Sequence, residues 1–325
     1  MNFLPQEFSQ FISKNCNRFQ FLQEYLTHWK IPYNVISIEN CKHIAIHLQK
    51  DSACNNIKHK TLIAHYDRAL GENNSYITPG ANDNSASVFQ LLKLAQKIIH
   101  KPESYRNKVF NIRIILTDGE ELGSAQEQGA FGLANLFRKL QLSDSDIYVL
   151  DGCGRGDVLA VSTVGRSQKA NTTFLKKYDA LFEKACKIAK LASRGKFATI
   201  PVPYSDNAGF IANGIPAVAL TVLPTDEINE YMRNLKTNKN LLSYVVSNGS
   251  AMHGGTNGRL NTSNASNIIK TLNKENIDPT ELLLISEKLP KTWRMMHTEF
   301  DNSVNLTEQA FLTMERFLDL IVETM

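Results

Sequence analysis

Apolar residues first recur at helical spacing between Pro5 and Trp29, at Phe8, Phe11 and Ile12 and then at Phe19, Phe21, Leu22, Tyr25 and Leu26. This predicts one or two amphipathic helices with a core-facing stripe. The period then changes. YNVISI and HIAIHL have the length and β-branched content of strands, and KTLIAHYD is an apolar run that stops abruptly at polar residues. SASVFQLLKLAQKII predicts a helix, VFNIRIILTD a buried strand, GAFGLANLFRKL a helix and DIYVLD another strand. A strand around DVLAVST, a helix over ANTTFLKKYDALFEKACKIAKLA, a turn region at PVPYSDN and the strand PAVALTVL follow. The chain closes on LTEQAFLTMERFLDLIVETM, whose apolar residues from Phe311 to Ile321 form a helical stripe. Strands alternating with helices predict an α/β fold with a mixed, mostly parallel central sheet flanked by helices.

Between about residues 224 and 289 the pattern loosens. SNGSAMHGGTNGRLNTSNAS is rich in Gly, Asn and Ser, cannot pack densely, and reads as part of an insertion or lid on a single domain spanning 1–325. A chain of 325 residues with 42% hydrophobic content can bury one large core without a second domain. Lys and Arg total 36 against 32 Asp and Glu, spread without a basic block, which argues against a nucleic-acid partner. No uninterrupted apolar run reaches the ~18 residues that span a bilayer, and the N-terminus has no basic-then-apolar leader pattern, so no membrane association is expected. The five cysteines, at 16, 41, 54, 153 and 186, are odd in number and widely spaced with no C-x-x-C. They read as reduced thiols of a cytoplasmic protein.

The candidate chemistry lies where strands end. His65 and Asp67 end one strand, Asp118, Glu120 and Glu121 the next, and Asp151 a third. Strand C-termini of an α/β sheet face a common crevice, so residues far apart in sequence can converge there. Asp83 sits in the turn PGANDNSAS before a helix, and His297 lies in RMMHTEFDN before the last one. Two close zinc ions need one bridging carboxylate and about two further ligands each, which two histidines and three carboxylates supply. Adjacent Glu120 and Glu121 point differently, so one can bind metal while the other takes a proton from water. Asp67, two residues after His65, suits an acceptor that fixes that imidazole's tautomer.

In order and character, AHYD, GANDNSAS, TDGEELGS, VLDGCG, SDNAGF-IANGIP and MHTEFDNSVNL resemble metallopeptidase family twenty-eight, which holds bacterial leucyl-type zinc aminopeptidases and animal-type glutaminyl cyclases. The likeness covers about residues 60 to 325 apart from the insertion. It implies a zinc exopeptidase fold and an aminopeptidase acting on peptides with a free N-terminus. It further implies two zinc ions: Asp83 bridging, His65 and Asp151 completing one site, Glu121 and His297 the other, and Glu120 activating a bridging hydroxide. Two positions depart from the family. Asn207 stands where many relatives have His, and the insertion before His297 reshapes the surroundings of the substrate.

Other readings stay open at this level. A glutaminyl-peptide cyclotransferase would carry a single zinc, and HYD, DGEE and Trp293 shortly before the His-Thr pair lean that way; GANDN and EELGS lean toward the peptidase. A catalytically dead binding protein on the same fold is the third reading, although every ligand position is kept. Cys153 reads as a buried small residue, His253 as a loop histidine, and Met295 and Met296 as wall or core. Asp118 reads as a local support of the Glu pair. Asp206 is undecided, because its position carries an acid in the cyclase branch.

Overall fold

The structure is a computed structural model that describes residues 3–49, 58–71, 76–105, 108–122, 128–167, 172–247 and 279–324. Two helices come first, α1 (Gln6–Phe11) and α2 (Arg18–His28), the second capped by Asn17, whose side chain accepts from the Gln20 N–H. Strands β1 (Asn34–Ile38), β2 (Cys41–Gln49), β3 (Lys60–His65), β4 (Asn111–Thr117), β5 (Asp146–Leu150), β6 (Val158–Ser162), β7 (Phe197–Ile200) and β8 (Ala217–Leu223) form one sheet among the described residues, in the order β1-β2-β4-β3-β5-β8-β6-β7. The central run β4, β3, β5, β8 is parallel, as is the pair β6 and β7; β1–β2, β2–β4 and β6–β8 are antiparallel. Every residue of β3, β5 and β8 is buried, the reason these strands read as mainly apolar without alternation, whereas edge strand β1 is largely open to solvent.

Connecting elements cover the two faces. They are α3 (Ala86–His100), α4 (Gly129–Lys139), α5 (Thr172–Ala192), α6 (Asn207–Ala212), α7 (Thr225–Thr237), α8 (Lys239–Ser247), α9 (Pro279–Ser286), α10 (Lys291–Met295) and α11 (Glu308–Glu323). Alternate strand residues divide between them, as the period of two requires. Leu62, Ala64, Ile114, Leu150 and Leu220 join the core formed with α1, α2, α3, α5 and α11. Ile63, Ile115, Val149 and Ala219 point the other way, into the core under α4 and α6. Further along that second face, Val158, Ala160 and Leu223 pack with Ile228, Tyr231, Leu241, Ile285 and Trp293.

The ends of the segment that the sequence sets apart are thus helices with their own buried cluster, in which the Tyr231 and Trp293 rings meet at 5.2 Å. Residues 248–278, with His253, lie outside the described residues. Short elements escaped the sequence pattern, among them β7, four residues at a sheet edge, and α6, six residues long. Neither is long enough to show a period.

Candidate metal centre

Parallel pairing brings the ends of β3, β4 and β5 level, with His65 opposite Thr117 and Ile63 opposite Val149. His65 is the last residue of β3 and is fully buried. Beyond β4, Gly119 turns the chain at φ +77°, where an added Cβ would meet the Cys41 Sγ at 2.5 Å. That turn swings Glu120 inward, where it too is fully buried. Asp151 follows β5, its N–H bonded to the Leu220 carbonyl of β8. Gly152 then turns at φ +62°, and an added Cβ there would strike the Met296 methyl.

Asp83 arrives from the turn at 81–85, whose Asp83–Asn84 peptide is cis. His297 follows α10 with φ +62°, a left-handed conformation uncommon for a residue with a Cβ and one that clusters at functional sites.

These five side chains meet. Asp83 Oδ1 lies 3.1 Å from His65 Nε2, and its Oδ2 lies 3.0 Å from His297 Nε2. Glu121 Oε2 is 3.3 Å from His297 Nε2, and Asp151 Oδ1 is 3.9 Å from His65 Nε2. Asp83, His65 and Glu121 also form a group whose ligand atoms lie within 4.8 Å of one another. Both Asp83 oxygens, Asp151 Oδ1 and His65 Nε2 are buried and make no hydrogen bond. Buried carboxylates gathered in this way are costly without positive charge. A tetrahedral zinc with bonds of about 2.0–2.1 Å holds its donors about 3.3 Å apart, so imidazole nitrogens and carboxylate oxygens at these spacings fit such an ion.

Protonation answers the same charge. Burial would lower the His65 imidazole, yet Asp151, Asp67 and Asp83 around it raise it well above its ordinary value. Burial would raise Asp83, yet His297 and His65 hold it well below the usual carboxylate range. A cation and protons therefore compete for the same nitrogens.

Asp67 lies 3.4 Å from His65 Nδ1 and also accepts from the backbone N–H of Glu120 at 3.3 Å and of Glu121 at 2.9 Å. One carboxylate thereby ties the His65 segment to the Glu pair, a second link that spacing alone does not announce. Gln128 Nε2 donates to the Glu120 carbonyl at 2.6 Å and holds the same turn from the other side.

The remaining candidates sort by contact. Asp118 Oδ2 accepts from the Lys42 N–H at 2.9 Å and so braces β4 against β2. Cys153 is fully buried, donates to the Leu220 carbonyl, and has its thiol pushed far up by burial. Asp206 is buried, accepts from Thr117 Oγ1 at 2.5 Å, and burial pushes its carboxyl up to about 7. Asn207 turns its Oδ1 to the Ser205 N–H.

Asp301 was missed by the sequence reading. Its two oxygens accept from the N–H groups of Asn82 at 2.7 Å and Asp83 at 3.0 Å, and so join the His297 loop to the Asp83 turn. The only sequence signal was its position four residues past His297.

The profile of peptidase family M28 matches residues 45–319. Among solved structures, LapA of Legionella pneumophila superposes with a TM-score of 0.58 at 12% identity, covering 98% of this chain and 71% of that one. LapB of the same organism gives 0.57 at 12% identity over 98% and 70%. BSAP, a zinc aminopeptidase from Bacillus subtilis, gives 0.48 at 16% identity over 87% of this chain and 48% of its own, so the chain spans about half of BSAP. At these identities the likeness is one of fold. No curated protein matches the chain in sequence.

Proposed function

The chain belongs to peptidase family M28, and on that premise we propose that it is a zinc-dependent aminopeptidase removing residues from the N-termini of peptides. The observation that carries this reading is the position of Asp83, each of whose oxygens faces a different histidine within 3.1 Å. A carboxylate so shared suits a bridge between two ions, with His65 and Asp151 on one side and Glu121 and His297 on the other. LapA, which shares the fold, is itself an aminopeptidase. When bound, zinc would supply Lewis acidity that polarises the scissile carbonyl.

The chain's own residues would do the rest. Glu120 takes a proton from the attacking water and returns it to the leaving amine nitrogen. Asp67 orients His65 and holds the Glu120–Glu121 backbone.

The same site suggests one alternative, glutaminyl cyclisation on a single zinc. It is favoured by Asp206, whose buried carboxyl stays protonated up to about pH 7 at a position that carries an acid in the cyclase branch. A metal count joined to two assays separates the readings. Near two zinc ions per chain, with chelator-sensitive release of N-terminal residues from aminoacyl anilides, supports the peptidase. One ion with pyroglutamate formation from N-terminal glutamine replaces it with the cyclase. Glu120→Gln should keep its metal and lose on the order of 10²–10⁴-fold in kcat; undiminished turnover would remove Glu120 from the mechanism.

A further inference from the structure

Two arginines join the N-terminal helices to the segment that follows His65 and to the turn that carries Asp83, and one of them lies ahead of residue 45, where the family profile begins. Arg18, the first residue of α2, is only 5% exposed. Its Nη1 donates to the backbone carbonyls of Tyr66 and Asp67, both at 2.9 Å. Its Nη2 donates to the carbonyls of Pro79 at 2.9 Å and Gly80 at 3.2 Å, and to Ser85 Oγ at 2.8 Å. These acceptors fall on two segments only, the one that leaves His65 and the turn that presents Asp83.

Arg68 reaches in the opposite direction. Its Nη2 donates to the Cys16 carbonyl at 3.0 Å, and its Nη1 lies 3.4 Å from the carbonyls of Ile12 and Thr78. The Phe19 ring lies 6.3 Å from that of Tyr66, between His65 and Asp67 in sequence. The clasp is therefore reciprocal: each side supplies a guanidinium to the carbonyls of the other.

A buried guanidinium is costly unless its N–H groups are used, and burial, with Arg68 adding to it, brings Arg18 down to about 9. Only arginine offers a rigid planar fork that can address two segments at once; a lysine ammonium is a single point with three donors.

We propose that Arg18 is a positioning residue of the metal centre. It fixes the His65 segment against the Asp83 turn, sets the 3.1 Å spacing of His65 Nε2 and Asp83 Oδ1, and makes the N-terminal helices part of the functional unit. The proposal rests on the metal-centre reading given above and goes beyond it in assigning a role to a residue outside the matched region.

The test is cobalt(II) affinity, measured by competition with a chromophoric chelator and by the visible spectrum of the bound ion, in wild type, Arg18→Lys and Arg18→Ala. Arg113→Ala, which removes a half-buried arginine lying over the Phe137 ring, is the control for lost stability. Arg18→Lys should keep the wild-type circular dichroism and bind cobalt roughly 10–100-fold more weakly, the range seen when outer partners of metal ligands are removed. Arg18→Ala should lose at least as much, with partial recovery in millimolar guanidinium. Arg113→Ala should melt earlier while binding cobalt like wild type.

Wild-type affinity in both Arg18 variants overturns the proposal alone. So does an equal loss in Arg113→Ala. Wild-type protein that takes up no cobalt overturns the metal-centre reading, and this proposal with it.

Discussion

Asp301 uses both carboxylate oxygens on backbone groups of the Asp83 turn and shows how much of the centre is held by contacts that are not side chain to side chain. Asp301→Ala leaves two buried N–H groups without acceptors, at about 1–3 kcal/mol each; the urea midpoint should fall accordingly, and Asp301→Asn, which keeps one acceptor oxygen, should fall less. Asp206 gives a pH prediction. Burial lifts its carboxyl from 3.8 to about 7, so between those values the folded chain holds a proton that the unfolded chain has released. Its contribution to stability is full below the unfolded value and is lost as pH rises through about 7. Melting temperatures of metal-free protein across that window should fall less steeply in Asp206→Asn than in wild type, and parallel curves would refute the assignment. At this scale the sequence is legible where reactive side chains fall at or just beyond a strand end, and the structure places His65, Glu120, Glu121 and Asp151 at such positions. It was silent on Arg18 and on the second task of Asp67, because those side chains act on backbone atoms and leave no spacing rule behind.

Among the elements, α3 is the dock for the N-terminal helices. The Phe89 ring meets those of Phe8 at 5.1 Å, Phe11 at 5.4 Å, Tyr25 at 6.0 Å and Phe21 at 6.4 Å. Phe89→Ala should cost about 3–5 kcal/mol in chemical unfolding, and because α2 carries Arg18 it should also weaken cobalt binding. Affinity unchanged in a protein so destabilised would show that docking and the centre are independent. Helices with a long apolar stripe, such as α3, α5 and α11, and fully buried, mainly apolar strands such as β3 and β8 were readable in advance, since burial writes an apolar pattern into them. The flanks of the 224–289 segment were less so: Leu241 and Ile285 fall in apolar runs too short to show a period, and the cluster they form with Tyr231 depends on Trp293 and on strand residues far away.

The whole molecule places the centre above the parallel middle of the sheet, with helical layers on both faces and, among the described residues, no helix long and apolar enough to cross a membrane. Buried carboxylates at one point make the metal-free fold strained by charge, so zinc at a hundredfold excess over its dissociation constant should add about 2.7 kcal/mol to stability. Calorimetry with and without chelator checks this, and a melting temperature indifferent to zinc would contradict it.

The reciprocal clasp of Arg18 and Arg68 also orders events in time. Translation delivers the N-terminus first, and the farthest Arg18 acceptor, Ser85, is only 67 positions away, whereas Asp301 reaches Asn82 across 219. The clasp around His65 and Asp83 can close while most of the chain is still being made, and His297 enters a socket already shaped, near the end of synthesis. A nascent chain that has emerged as far as Asp151 carries four of the five candidate ligands and lacks only His297, so stalled chains extended by a C-terminal linker long enough to bring residue 297 out of the ribosome should capture cobalt more tightly than chains stalled before it.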